Sequence, residues 1–310
     1  MGALILLALL FAAVAGASAP GPAQPGIQGR GAVLRDGTRI HYLEAGRPGA
    51  RPALVLIPGW TLPAFLWKEQ LQRFSSDRLV LAIDPRSQGE SSKTDLGNTP
   101  EQRARDLHEL LSTRGVRSAV VVGWSQGAND LAAYVQQFGT TSIAGLAFVD
   151  SPVSAGPAEI EIHKEWSRRF LGMLALYENH PAEYSERMIR SLFARPHPGL
   201  DLKAVIAHSR ETPVSIGLSM LVMDIFAVDR RPALAKINRP TLVIASAESP
   251  LLEAQRSMAH EIAGATFLSI RGAGHALFID DPETFDRALA RLLVLADHDS
   301  SRQRASEIHR

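Results

Sequence analysis

The pentapeptide Gly123-Trp124-Ser125-Gln126-Gly127 has the form G-x-S-x-G. It follows the apolar run Ala119 to Val122 and opens the helical stretch Gln126 to Phe138. Between a buried strand and a helix, this motif raises a serine hydroxyl at the carboxyl edge of a sheet. The turn is tight, so the positions two before and two after the serine must be small, and glycine meets both demands. Without that context the pentapeptide would suit a turn with an N-capping serine equally well. With it, Ser125 is expected to be a nucleophile.

A hydroxyl is a poor nucleophile at neutral pH and needs a base within hydrogen-bond reach. His275 lies in Gly272-Ala273-Gly274-His275, directly after the run Thr266 to Ile270. Glycines there free the loop to carry the imidazole over Ser125. The other histidines lack such a place: His163, His180, His197 and His208 fall in a helical insertion, and His298 and His309 in the C-terminal stretch. A tetrahedral intermediate also needs fixed donors for its oxyanion. The backbone N–H of Gln126, at a helix N-terminus, is one candidate. The N–H of Trp60, in the turn Pro58-Gly59-Trp60, is the second.

Short runs rich in Val, Ile and Leu must position these residues. They are Ala53 to Ile57, Leu79 to Ile83, Ala119 to Val122, Ile143 to Val149, Thr241 to Ala245 and Thr266 to Ile270. They lack alternation, as strands buried on both faces of a parallel sheet do. Ahead of them, Val33 to Leu34 and Arg39 to Leu43 flank Asp36-Gly37, the signature of an antiparallel hairpin. Helical stretches lie between the runs, such as Thr99 to Thr113, which opens on a threonine N-cap and Pro100. The alternation predicts a doubly wound α/β fold, a mostly parallel sheet of about eight strands. The rhythm breaks only from Ser151 to Arg239, where helical patches punctuated by prolines replace strands. This reads as a helical cap inserted after the sixth strand. The expected core is therefore 31–150 and 240–296, with the cap at 151–239.

With these elements in place the chain from Gly31 to Ala296 resembles the α/β-hydrolase fold family with a helical cap. Pro58-Gly59-Trp60, Asp84-Pro85-Arg86-Ser87-Gln88-Gly89-Glu90-Ser91, Gly123-Trp124-Ser125-Gln126-Gly127 and Gly274-His275 carry the resemblance. It implies a triad in the chain order serine, acid, histidine, and a cap that shapes the substrate pocket. Two departures stand out. Pro58 occupies a position where the family usually has histidine, which a backbone donor tolerates. The turn after Thr241 to Ala245, where relatives carry the acid, reads Ser246-Ala247-Glu248-Ser249-Pro250 and puts Ser249 at the aspartate position. Two acids remain open: Asp150, at the end of Ile143 to Val149, where some relatives of the dehalogenase type place theirs, and Glu248. Asp150 is the first expectation and Glu248 the alternative. Asp84 and Arg86 are expected to pair with each other and fix the loop 85–91, and Trp124 to pack.

A serine nucleophile favours acyl transfer to water, hence hydrolysis of an ester, lactone, thioester or amide. The broadest reading is a carboxylesterase-type serine hydrolase acting on a small-molecule ester. Cap residues Phe170, Leu171, Met173, Leu174, Leu218, Met220, Leu221, Met223 and Phe226 form either an apolar pocket or the cap's own core. Cofactor-free haloperoxidase or C–C hydrolase chemistry on the same triad, or a non-catalytic ligand-binding role, are the alternatives. Glycine-rich turns do not form G-x-G-x-x-G, and no metal-ligand pattern occurs, so no cofactor or metal is expected.

Composition closes off other classes. The chain has 33 Lys and Arg against 32 Asp and Glu, which leaves no electrostatic footprint for nucleic acid. It has no cysteine, which excludes disulfides, thiolate metal sites and a cysteine nucleophile. Gly2 to Ala17 is apolar or small with a Leu-rich centre, short for a bilayer span, and Ala15-Gly16-Ala17 fits a signal-peptidase site. A signal peptide over 1–17 is expected, giving a periplasmic or secreted protein without a stable membrane anchor; an uncleaved anchor is the alternative. A Pro- and Gly-rich linker is expected over 18–30 and a frayed polar tail over 297–310.

Overall fold

The computed structural model describes residues 26–308, so the expected signal peptide lies outside the described residues. The chain opens with the hairpin β1 (Gln28–Val33) and β2 (Arg39–Ala45), turned at Gly37 with φ +84°. Here the expected linker is too long by three residues. Gln28, Gly29 and Arg30 pair with Glu44, Leu43 and Tyr42, because backbone hydrogen bonding to β2, not side-chain burial, makes this edge strand.

The remaining strands are β3 (Ala53–Ile57), β4 (Val80–Ile83), β5 (Ala119–Trp124), β6 (Ile143–Val149), β7 (Thr241–Ser246) and β8 (Thr266–Ile270). They form one eight-stranded sheet in the order β1-β2-β4-β3-β5-β6-β7-β8, parallel from β4 to β8. The lack of alternation has its cause here, since both faces are buried. Val55, Ile57 and Val121 point into one core cluster, and Leu54, Leu56, Val120 and Val122 into the other. Burying one such side chain contributes roughly 1.5–3 kcal/mol, so a polar residue at these positions would be destabilising.

Helices cover both faces: α1 (Lys68–Phe74), α2 (Pro100–Thr113) and α3 (Gln126–Phe138) precede β6. The Thr99 hydroxyl caps α2 by accepting from the Gln102 N–H at 3.2 Å, as its sequence predicts. Between β6 and β7 lies the cap, built from α4 (Glu159–Ile162), α5 (Lys164–Asn179), α6 (Pro181–Ser191), α7 (Leu202–Arg210) and α8 (Val214–Ile225). After β7 come α9 (Leu252–Glu261), α10 (Leu277–Asp280) and α11 (Pro282–Ile308).

The expected frayed tail over 297–310 is corrected: α11 continues to Ile308. Its polar residues have partners on the core. Asp297 takes Arg78 at 3.0 Å and Asp299 takes Arg239 at 2.9 Å, while Ser300 is buried. Polarity here marks ion pairing and not a solvated coil.

Candidate active site

The strands β3, β5, β6, β7 and β8 lie next to one another in parallel, so their carboxyl ends share one edge. Trp60 follows β3, Ser125 follows β5, Asp150 follows β6, Glu248 follows β7 and His275 follows β8. Parallel sheets bind ligands at that edge.

Ser125 sits on a sharp turn with φ 56° and ψ −116°, a conformation that non-glycine residues rarely adopt and that costs of order 1–3 kcal/mol. Its N–H is held by the Val149 carbonyl at 2.9 Å. Gly123 is required by contact, and Gly127 sits in a tight fit. A Cβ on Gly123 would stand 2.3 Å from the Gly127 carbonyl oxygen, and one on Gly127 would meet Ile57 at 3.1 Å. Gly59 is pressed against Ser125 itself, its would-be Cβ only 3.2 Å from the Ser125 Cβ.

His275 Nδ1 lies 2.7 Å from Asp150 Oδ2. The other carboxylate oxygen of Asp150 accepts from the Ser246 N–H at 2.8 Å and the Gln255 amide at 3.3 Å. Asp150 is buried and also has a positive φ of 47°, so its turn holds strain as Ser125 does. Glu248 is not brought to His275. It accepts from the Gly272 N–H at 3.1 Å and the Ser246 hydroxyl at 3.2 Å, bracing the loop that leads to the histidine. Ser249, at the usual acid position, accepts from Gln255 at 3.1 Å, the same amide that reaches Asp150.

The backbone that carries His275 is fixed at two further points. The Trp124 indole N–H donates to the His275 carbonyl at 2.9 Å, giving this buried residue a positioning contact besides its packing. Asp280 accepts from the N–H of Gly274 at 2.6 Å and of Ala194 at 2.9 Å, tying the histidine loop to the cap. Gly274 is needed less for freedom than for closeness, since a Cβ there would fall 2.7 Å from the Leu192 carbonyl oxygen.

The Gln126 N–H opens α3, where first-turn amides have no helical acceptor. Trp60 stands in the turn after β3, at the same edge. The Trp60 ring enters the cap: its indole N–H donates to the Gly217 carbonyl at 2.9 Å, and it packs edge-on against Tyr177 and Tyr184. Burial pushes the Tyr177 phenol up to about 12.

Next to Ser125, around the Gln126 side chain, lies a polar network that the sequence does not announce. The Gln126 side chain accepts from Gln88 at 3.0 Å and donates to Asp224 of α8 at 2.5 Å. Arg103 of α2 binds Asp224 at 2.6 Å and Asp130 of α3 at 2.8 Å. Burial lifts the Asp130 carboxyl to about 6 despite Arg103, and it lifts Asp224 as well. Its members come from segments far apart in the chain, so no local pattern announces it. The expected Asp84–Arg86 pair is likewise corrected. Asp84 accepts from His41 at 2.7 Å and the Ala64 N–H at 2.6 Å, whereas Arg86 pairs with Asp106 at 2.7 Å and Asp36 at 2.7 Å. Each fixes the loop by itself.

Core and cap enclose a cavity of about 700 Å³ lined by Ser125, His275, Trp60, Gln126 and a mostly apolar cap wall. Of the cap residues named from sequence, Phe170, Met173 and Leu221 line it, while Met220 is fully buried in the cap's own core and Leu171 is exposed. The cap side chains thus divide between the two roles.

A parallel sheet with a serine elbow, a His–Asp pair whose aspartate is buried, and a capped cavity at its carboxyl edge defines a hydrolase. Residues 54–288 match the family model described as the Alpha/beta hydrolase family, and the chain belongs to that family. It is similar to RutD of Stutzerimonas stutzeri, to which carbamate hydrolysis is ascribed, at 28% identity over 84% of this chain and 96% of that protein. It is also similar to N-formylmaleamate deformylase of Pseudomonas putida, at 34% identity over 41% of this chain and 46% of that protein. In three dimensions it resembles the esterase EaEST of Exiguobacterium antarcticum, with a TM-score of 0.74, 18% identity and coverage of 86% of this chain and 99% of that one. At that identity the likeness speaks for the fold.

Proposed function

We propose that the protein is a serine hydrolase that cleaves a carboxylic ester, or a lactone or thioester, of a small or medium apolar substrate through an acyl-enzyme on Ser125. The observation that carries this reading is the His275–Asp150 hydrogen bond at 2.7 Å on the wall of the cavity that Ser125 also lines.

The chemistry follows from the placement. Ser125 Oγ attacks the substrate carbonyl while His275 Nε2 accepts its proton. Asp150 accepts from Nδ1–H, which fixes the tautomer and stabilises the imidazolium. The carbonyl oxygen becomes an oxyanion and takes the N–H groups of Gln126 and Trp60. Loss of one such donor typically costs about 2.7–4 kcal/mol of transition-state stabilisation. The leaving alcohol takes the proton back from His275. Water, deprotonated by the same imidazole, then attacks the acyl carbon and frees Ser125. Hydrolysis of carbamates, of formyl amides and of esters, the reactions named for the relatives, all begin at a carbonyl carbon. The cavity volume falls in the usual range of roughly 300–1,000 Å³ for small-molecule sites.

Hydrolysis of p-nitrophenyl esters of graded acyl length by the protein and by S125A tests this. The expected result is turnover that S125A abolishes, with a length optimum that sizes the cavity. Absence of turnover on every ester, together with absence of reaction with a serine-directed fluorophosphonate, would point to a non-catalytic role.

A further inference from the structure

Besides the catalytic residues, the cavity wall carries Asn129, Glu159 and Asp224. The segment entering the cap orders the first two. The N–H of Ser154 donates to Asn129 Oδ1 at 2.9 Å, and the N–H of the next residue, Ala155, donates to Glu159 Oε1 at 2.7 Å. The first bond fixes which end of the Asn129 amide is oxygen, so its Nδ2 is a donor. That donor has no acceptor among the described residues, although Asn129 is only 5% exposed. Glu159 is equally buried at 5%, and its second oxygen has only His163 Nε2 at 3.8 Å, beyond hydrogen-bond range. Asp224, by contrast, is fully engaged by Gln126 and Arg103.

At the entry to the cap the wall therefore presents an open donor beside an open acceptor, held to adjacent backbone amides. Both atoms face the water-accessible cavity, so a ligand that satisfies both exchanges their contacts with water for direct hydrogen bonds, a gain of roughly 0.5–1.5 kcal/mol each. Their complement is a group that accepts and donates at once, such as a carboxamide or a hydroxyl. Charge points the same way. Asp150, Glu159, Asp224 and Glu248 line the cavity, and no Lys or Arg does. A substrate carboxylate would meet like charge with no cation to receive it.

We propose that Asn129 and Glu159 are specificity-determining residues that select acyl substrates bearing an uncharged carboxamide or hydroxyl and reject those bearing a carboxylate. This rests on the hydrolase reading above, because it names the substrate of the same cavity.

Two variants keep the backbone bonds and change only the open atoms. E159Q retains a carbonyl oxygen for the Ala155 N–H and replaces the open carboxylate oxygen by an amide nitrogen. N129D retains the acceptor for the Ser154 N–H and removes the donor. The probes are p-nitrophenyl esters of matched linear acyl chains ending in methyl, carboxamide or carboxylate, tried over several lengths. Wild-type kcat/KM should rank carboxamide over methyl over carboxylate, with steps of about tenfold, the size of a single well-placed polar contact. E159Q should raise the carboxylate-to-methyl ratio by about tenfold, and N129D should lower the carboxamide-to-methyl ratio by a similar factor. A merely structural role would scale all three esters together. The same esters should raise the thermal midpoint of S125A in the same rank order. That ranking in S125A with an inert wild type supports the subsite while sinking the hydrolysis reading. Wild-type hydrolysis of all three esters at similar rates, unaltered in ratio by either variant, overturns the subsite and leaves the hydrolysis reading standing.

Discussion

Asp150 and His275 lie 125 positions apart in the chain and 2.7 Å apart in space, joined between the ends of β6 and β8. The acid thus reaches the imidazole across the end of β7, whose Ser246 N–H holds its other oxygen at 2.8 Å. The turn after β7 braces Asp150 and keeps Glu248 on the Gly272 N–H.

Substitution separates the two carboxylates. D150N keeps the volume but offers Nδ1 an amide that favours the wrong tautomer, and kcat for ester hydrolysis is expected to fall by about 10³–10⁴-fold. E248Q keeps an oxygen for the Gly272 N–H and is expected to lose less than about tenfold. Full activity in D150N with loss in E248Q would reverse the assignment.

The glycines make different demands. G123A places a Cβ 2.3 Å from a backbone oxygen that cannot move without deforming the elbow, so activity should fall by at least about 100-fold, with lower stability. G37A, at a hairpin turn with φ +84° and open space around it, should unfold about 1–2 kcal/mol more easily and still hydrolyse ester. Equal effects of the two on activity would contradict this account of the elbow.

One of the contacts that join cap to core runs through an indole. W60F removes the donor to the Gly217 carbonyl while keeping an aromatic ring, and should destabilise the protein by about 1 kcal/mol. Because the contact joins cap to core, KM should rise more than kcat falls. A change in kcat alone would show that the ring serves the chemistry and not the cap.

The buried network gives a pH signature. Asp130 has a folded value of about 6, above that of the unfolded chain. Between about pH 4 and 6 the folded protein therefore binds a proton that the unfolded chain releases, and this contribution to stability declines as pH rises through that window. D130N lacks the group. The unfolding free energy of wild type minus that of D130N should fall on the order of 1 kcal/mol per pH unit across the window and level off above it. Denaturant titrations at several pH values measure this, and an opposite slope would contradict it.

The sheet, the insertion of the cap and the places of Ser125 and His275 were legible in the sequence, because each depends on contiguous residues. Apolar runs with turn signals locate β3 to β8, and Gly123 and Gly127 bracket a turn that can be read locally. The carboxylate that meets His275 was legible only as a choice between Asp150 and Glu248, since that contact depends on the reach across β7 from one strand end to another. The network of Gln88, Gln126, Asp224, Arg103 and Asp130 left no local trace. Neither did the extension of α11, whose polar residues look solvated until Arg78 and Arg239 are placed beside them.

The central claim is that Ser125 is an activated nucleophile. Intact-mass spectrometry after exposure to a fluorophosphonate, followed by peptide mapping, tests it directly. The account predicts a single adduct on Ser125, absent in S125A and formed much more slowly in H275A. An unmodified wild-type protein, or an adduct on another residue that persists in S125A, would contradict it.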